Sequence, residues 1–397
     1  MKRRDFIKRS GAVITTASIF GSVAANSFIS NRNIKIGIIG TGSRGNGLIS
    51  LLNEIEGVEV VACCDILSFQ LKNGLKRAGM QAKSYSDYKS LLEDKNIDAV
   101  LIATPFATHG KIVINALKAN KHVYCEKTMT RGYLEIKNMV DAVQSSGKIV
   151  QVGHQYHSSY LYKEVVKMIN KGKIGKISTI ECQWNRNGNW RRPVPDPAFE
   201  RAINWRMYKE FSGGLTAELC SHQIDFVNWV TNSNPEKVIG MGGIDYWKDG
   251  RETYDNIHLL YEYPNGIKAT FMCLTSNSKD DYQIKVLGDK GTIILDYTKA
   301  WFYPEGEYND KKILGDVDGV SGATIINGWE EGKGIPISID HDDPTRQALI
   351  DFRDSILTNR QPISNVVTGA KTAIAVQMGI DAMYGEKPVY WKNVSLI

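Results

Sequence analysis

Residues 34–40, IKIGIIG, form an unbroken apolar run of the kind that builds a strand buried on both faces. A glycine-rich turn and a helical stretch, TGSRGNGLISLLNEI, follow directly. The same rhythm recurs in VEVVACCD (58–65), DAVLIAT (98–104), HVYCE (122–126) and KIVQVGH (148–154), with helical segments around 87–94 and 110–119. Strands alternating with helices in this way predict βαβ units and a parallel, doubly wound sheet over residues 31–155.

Beyond about residue 155 the period changes. One amphipathic helix (159–171) leads through GKIGK into longer runs that alternate apolar and polar positions, the pattern of half-buried strands. Asn265-Gly266 separates two such runs, a hairpin signal, and YQIKVLGDKGTIILDY repeats the design around residues 288–291. Residues 303–340, rich in Gly, Asp and Glu, read as long loops, and 343–357 and 367–385 read as helices. The fold class is therefore α/β, with a second domain over 156–397 built on a mostly antiparallel sheet with helices on one side. The last helical segment is free to pack back on the first domain.

Charge and composition add a third segment. The formal charge of the 397-residue chain is +6, but within the first 25 residues Lys2, Arg3, Arg4, Lys8 and Arg9 face only Asp5. What remains is too small to argue for nucleic acid or an anionic membrane as a partner. MKRRDFIKRSGAVITTASIF has paired arginines and then a weakly apolar stretch, the pattern of a twin-arginine export signal over residues 1–30; a basic tail is the other reading. No later segment reaches the roughly 18 uncharged apolar residues that span a bilayer. The expectation is a periplasmic protein with no membrane contact once the signal is removed. Six cysteines, none in a CxxC pair and most inside apolar runs, read as buried thiols.

Gly40-Thr41-Gly42-Ser43-Arg44-Gly45 is G-x-G-x-x-G, placed directly after a strand and at the start of a helix. Asp65 ends the next strand, 25 residues after Gly40. In that setting the glycines permit the tight turn, the approach of a pyrophosphate and helix–strand contact, and the helix N-terminus holds the phosphates. Asp65 is placed to accept from both ribose hydroxyls and to repel a 2′-phosphate, favouring NAD over NADP, although Arg44 could accommodate such a phosphate. ATPFATH (103–109) ends another strand at the cofactor edge, so Thr104 and Pro105 are expected beside the nicotinamide, with His109 either there or packing at the next helix.

The chemistry-bearing groups lie at two places. Glu126 and Lys127 end a buried strand, where charge is rare without a use. In FSGGLTAELCSHQIDFVNWV (211–230), Glu218, His222 and Asp225 are spaced four and three apart, which on an α-helix lines them on one face. A carboxylate one turn from an imidazole orients it as a general base; metal coordination by the trio and a plain surface pair are the other readings. His154 and His157 read as polar lining. Oxidising an alcohol needs a base for its proton and a cation for the developing alkoxide, and Lys127 with His222 supplies both. Tyr156, Trp190, Arg191, Trp205 and Arg206 are candidate substrate-lining groups.

GIIGTGSRG, ATPFATH, CEKT, GKIGKI, SGGLTAELCSHQID and TGAKTAIAVQMGIDAMYGEKPV, in this order, resemble the family of glucose–fructose oxidoreductase, inositol dehydrogenase and MocA. The resemblance covers essentially everything after the signal. It implies an N-terminal Rossmann domain and a C-terminal domain with a large open sheet that often forms a homodimer or homotetramer interface. It also implies NAD(P)-dependent redox chemistry on sugars and cyclitols. The family's Glu-Lys-Pro motif falls on Glu126-Lys127-Thr128, the lysine contacting substrate and nicotinamide and the glutamate lying near the cofactor ribose. Its Asp-x-x-x-His motif falls on Glu218 and His222. Thr128 replaces proline, and Glu218 replaces aspartate.

The function expected is hydride transfer at a sugar, glycoside or cyclitol hydroxyl, with NAD held tightly because a periplasm has no free pool. The alternative is a glycoside hydrolase in which bound NAD oxidises the sugar transiently, with elimination, hydration and re-reduction. A non-catalytic sugar sensor is the third reading, disfavoured by the presence of both Lys127 and His222.

Overall fold

Each apolar run of the first domain becomes a strand. The structure is a computed structural model that describes residues 33–305, 334–339 and 343–393. The twin-arginine-type segment and most of the 303–340 stretch lie outside the described residues. Six parallel strands, β1 (Ile34–Ile39), β2 (Val58–Cys64), β3 (Lys83–Tyr85), β4 (Ala99–Ile102), β5 (His122–Cys125) and β6 (Val150–Val152), form a sheet of order β3-β2-β1-β4-β5-β6. Helices α1 (Ser43–Leu52), α2 (Ser68–Ala78), α3 (Tyr88–Glu93), α4 (His109–Lys118) and α5 (Tyr133–Ser146) make the crossovers. β3, three residues of which two are exposed, carries no apolar run, and the sequence reading passes over it. The chain runs outward from β1 to β3 and then restarts with β4 on the other side of β1. Such a reversal opens a crevice at the carboxyl ends of β1 and β4.

The second sheet holds β7 (Ile177–Asn187), β8 (Lys237–Gly243), β9 (Asn256–Glu262), β10 (Lys268–Leu274), β11 (Ser276–Gly288), β12 (Gly291–Leu295), β13 (Ala300–Pro304), β14 (Ile335–Ile337) and β15 (Val389–Tyr390). Among the described residues its order is β14-β13-β12-β11-β7-β10-β9-β8-β15, and every neighbouring pair is antiparallel except β7 with β10. β13 and β14 occupy the two ends of the stretch read as loop. Asn265 and Gly266, between β9 and β10, both have positive φ, the freedom their hairpin needs.

One face of this sheet is covered by α6 (Tyr160–Asn170), α7 (Ser221–Thr231) and α9 (Val366–Gly385), while Ile239, Met241 and Leu260 remain exposed on β8 and β9. α9 is apolar nearly all round, so it is buried, against α5 of the first domain as well as α7 and β8 of the second. The preceding helix, α8 (Pro344–Thr358), returns to the first domain. Its Phe352 ring meets Tyr124 of β5 edge-on at 5.8 Å, and Gln151 Nε2 donates to Ala348 O at 2.7 Å.

Phe352 is almost completely buried in that seam. Phe352→Ala is therefore expected to destabilise the first domain by about 3–5 kcal/mol, read from urea unfolding. A loss under about 1 kcal/mol would mean that α8 contributes little to this core.

Candidate active site

The glycine-rich turn after β1 is shaped by close approach. Gly40 has φ 92°, and a Cβ there would lie 2.6 Å from Ala103 O; a Cβ on Gly45 would lie 1.9 Å from Gly40 O. At Gly42 a Cβ would meet no protein atom within 4 Å, so the turn leaves a backbone-lined cradle at the mouth of α1. Gly42 is also the N-cap of α1 and gives no side-chain cap, which leaves the N–H groups of Ser43, Arg44 and Gly45 without intrahelical partners. These features fit a dinucleotide pyrophosphate.

Thr41 is fully buried and serves the turn rather than its mouth: its N–H donates to Asp65 Oδ2 at 2.8 Å, and Asp65 Oδ1 accepts from Leu67 N at 2.9 Å. The expected cofactor contact from Thr41 is thus replaced by a brace that fixes Asp65. Arg44 points the other way, its Nε 2.7 Å from Glu126 Oε1 at the end of β5.

His109 is also internal. One ring nitrogen lies 2.9 Å from Thr104 O and the other 3.0 Å from Thr128 O, so it ties the loop after β4 to the loop after β5 and has no nitrogen left for a cofactor. Burial lowers its pKa, while the two carbonyls that face the ring pull the other way. Thr104 and Pro105 remain partly exposed at the end of β4.

Residues 216–220, which the helical spacing assigned to an ordinary α-helix, form a π-helical turn leading into α7. The wider turn frees carbonyls that an α-helix would use internally. Lys127 Nζ donates to Glu218 O at 2.6 Å, and Thr128 Oγ1 donates to Ala217 O at 3.0 Å. The second bond is one that proline could not make. The Lys127–Thr128 peptide is cis.

The turn also separates Glu218 from His222. The carboxylate of Glu218 accepts from Arg206 Nε at 2.8 Å instead, and His222 Nδ1 is buried without a hydrogen-bond partner. The expectation that Glu218 orients His222 is corrected: Glu218 positions Lys127 through its carbonyl and Arg206 through its side chain.

His222 sits among rings: His154 at 5.8 Å, Tyr156 at 5.3 Å and Trp184 at 5.8 Å. Burial, then Lys127, His154 and Arg44, hold its pKa well below 6.5. Burial likewise lowers that of Lys127, against Glu218 and Glu126. Asp225, the third member of the expected row, belongs to a different cluster. Its Oδ2 lies 2.8 Å from His157 Nε2, its Oδ1 lies 3.7 Å from His154 Nδ1, and Thr372 Oγ1 of α9 donates to Oδ1 at 2.9 Å. Among the described residues no group of three His, Cys, Asp or Glu is arranged to hold a metal ion, and all six cysteines are free and buried.

The substrate-side candidates divide. Tyr156 stacks on Tyr162 at 4.3 Å and borders His222. Arg206 lies 4.2 Å over the Trp205 ring while holding Glu218. Arg191, by contrast, is consumed by Glu200 and by Asp249, its Nε 3.3 Å from Asp249 Oδ2 and its Nη2 donating to Asp249 O at 3.0 Å. Trp190 packs in left-handed backbone, φ 63°, with the Arg186 guanidinium 5.9 Å from its ring. His154, read as polar lining, borders His222, and two neighbours were missed from sequence: Trp184 and Arg186. The signal for the last two was available, because Cys182, Trp184 and Arg186 alternate along β7 and so share a face.

Burial alone would raise the Asp225 pKa, but His157, His154 and Thr372 outweigh it and hold it below 3.8. A depressed carboxylate contributes stability that is complete above its ordinary pKa and lost as pH falls through the folded value. Asp225→Asn is expected to cost about 3 kcal/mol at pH near 7, with the difference from the parent narrowing below 3.8. Equal urea midpoints near neutrality would refute the cluster's role.

Two family models match in chain order. One, described as an oxidoreductase family with an NAD-binding Rossmann fold, covers residues 34–154; the other, a GFO/IDH/MocA C-terminal domain, covers 162–294. Inositol 2-dehydrogenase of Salmonella paratyphi B is 31% identical over 207 residues, 52% of this chain and 56% of that protein, so the matched stretch spans little more than half its length. Myo-inositol 2-dehydrogenase of Thermotoga maritima is 26% identical over 272 residues, 66% of this chain and 75% of that one. The fold is also that of a levoglucosan dehydrogenase solved with NADH and levoglucosan: TM-score 0.72, 20% identity, 90% of this chain and 99% of that chain. With both domain models matched in order and the glycine turn, β5 end and α7 in place, the chain belongs to the Gfo/Idh/MocA family.

Proposed function

We propose that the protein is an NAD-dependent dehydrogenase of carbohydrate hydroxyl groups, acting on a sugar, glycoside or cyclitol. The observation that carries this reading is the meeting of the loop after β5 with the turn that leads to His222, Lys127 Nζ donating to Glu218 O at 2.6 Å, while Glu126 beside it holds Arg44 of the glycine turn at 2.7 Å. NAD would be held by the free N–H groups at the start of α1 and by Asp65, with Thr104, Pro105, Glu126 and Lys127 toward the nicotinamide. Asp65 at the end of β2, with Arg44 drawn to Glu126 on the opposite side of β1, favours NAD over NADP. Likeness to inositol dehydrogenases supports the substrate class.

The bound nicotinamide supplies a hydride acceptor. Lys127 donates one of its protons to Glu218 O and keeps others for the substrate oxygen, stabilising negative charge as the hydroxyl proton leaves. His222, neutral because of its surroundings, takes that proton. The aromatic rings around His222 exclude water from the reacting carbon. The N-terminal segment supports export, and an exported enzyme of this kind would carry its NAD with it.

The test is a carbohydrate panel with purified protein, following reduced cofactor and, with chromogenic glycosides, aglycone release. Stoichiometric cofactor reduction is expected, NAD should appear on denaturation, and Lys127→Ala and His222→Ala should each lower kcat/KM by about a hundredfold or more. Aglycone release without net reduction would overturn the dehydrogenase in favour of transient oxidation. Full activity in both variants would overturn the site.

A second expectation concerns pH. A general base must be unprotonated, so the acid limb of kcat/KM should lie below 6.5, the ordinary histidine value. A limb at or above 6.5 would exclude His222 in this buried, cation-flanked state as the base.

A further inference from the structure

Phe199 of the second domain meets Phe69 of the first, ring against ring at 6.0 Å and 64°. Phe69 stands in the first turn of α2, four residues beyond Asp65. Twelve residues after Phe199, Phe211 O accepts from Ala107 N at 3.1 Å, in the loop after β4. Just before it, Lys209 O and Glu210 O both accept from Arg131 Nη1, the latter at 2.9 Å, in the loop after β5. These seats all lie at the carboxyl edge of the first sheet, after β2, β4 and β5. In that sheet β1 stands between β2 and β4, so the stretch from Phe199 to Phe211 bridges the edge on either side of the glycine turn. It does not fill the cradle there, since a Cβ on Gly42 would meet no protein atom within 4 Å.

The sequence stiffens this bridge. Pro193, Pro195 and Pro197 fix φ at alternate positions and push the residues before them toward extended backbone. Asp196, at φ −147° and ψ 133°, follows that bias, and its Oδ1 accepts from Ala198 N at 2.8 Å. Behind Phe199, Glu200 gathers the segment: it accepts from Asn204 Nδ2 and from Tyr208 Oη, each at 2.9 Å, and pairs with Arg191. Buried Asn204 accepts in turn from Arg192 N at 2.7 Å, and Arg191 is anchored on Asp249. All of these bonds stay within the second domain.

The two ends of the bridge meet the first domain differently. The inner end is hydrogen-bonded to Ala107 and Arg131, whereas the outer end is seated by a pair of rings. A ring pair can part without leaving a polar group unsatisfied, so the outer end is the one that opens at low cost.

We propose that residues 193–211 form a strap across the NAD site, latched by Phe199 on Phe69, and that the dinucleotide enters and leaves only when the latch opens. The inference rests on the NAD-dependent reading for the identity of the cofactor and on no particular substrate. A latch that touches the first domain rather than the cofactor slows entry and exit alike. Removing it therefore raises both rates and leaves the dissociation constant nearly unchanged.

The test is kinetic and needs no turnover. Charcoal-treated full-length protein mixed with NADH gives the binding rate, and a chase with excess NAD gives the release rate, both from nicotinamide fluorescence. Phe199→Ser and Phe69→Ser should each speed release by about three- to tenfold, the factor that one aromatic pair supplies, and speed binding by a similar factor. The double variant should match the singles, because the same contact is lost in all three. Phe199→Leu, which keeps an apolar side chain, should recover most of the slow release. Phe199 is 37% exposed, so its replacement should leave the melting temperature unchanged. Unchanged release in Phe199→Ser, or effects that multiply in the double variant, would overturn the latch. Faster release with unchanged binding would make Phe199 a direct cofactor contact and overturn it too. Each of these results leaves the dehydrogenase reading standing. Latched NADH with no carbohydrate oxidised would overturn that reading and keep the strap, and failure to bind NADH at all would overturn both.

Discussion

The contact on which the site depends is the grip of the loop after β5 on the π-helical turn before α7. An α-helix offers no free carbonyl in its interior, so a lysine reaching it from another domain would find nothing to hold. The wider turn at 216–220 frees the carbonyls of Ala217 and Glu218, and Thr128 and Lys127 take them. A single irregularity in one helix thus fixes the relation of the two domains at the point where the chemistry lies. Because Lys127 is satisfied by a carbonyl rather than a carboxylate, its charge stays available to an incoming oxygen.

The same irregularity sets the character of His222. Had the helix been regular, Glu218 would have faced the imidazole and raised its basicity. Instead Glu218 is turned to Arg206, and His222 is left among His154, Tyr156 and Trp184 with a cation nearby. Low polarity and positive neighbours both favour the neutral ring, the form a base requires. Asp225 is kept from compensating because His157, His154 and Thr372 hold it. The state of His222 thus comes from withholding a carboxylate, not from supplying one.

How much of this was legible in the chain follows from what kind of information each feature needs. The first domain was readable because its strands are unbroken apolar runs and its turn is constrained by glycine; among its strands β3, short and exposed, escaped, and helices α2 and α5 were not singled out. The hairpins of the second sheet were readable for the same local reasons. The π turn was not, since periodicity assumes 3.6 residues per turn and the sequence TAELC contains nothing that announces an insertion. Arg191 and Arg192 were equally indistinguishable: which of them is neutralised depends on Asp249 and Glu200, brought together only by the fold. Thr41 and His109 had the right positions for cofactor contacts, but their burial turned them into braces.

These corrections share a direction. Arg44, the one cation of the glycine turn, is drawn across β1 to Glu126, so the phosphate end of the crevice is left to backbone N–H groups and the dipole of α1. Nearer the chemistry, Glu126 and Glu218 are each tied to an arginine, while Lys127 is met by a carbonyl. A dinucleotide held by backbone geometry is recognised by shape, whereas an oxygen that meets the Lys127 ammonium is recognised by charge, so the two ends of one crevice would select by different physics.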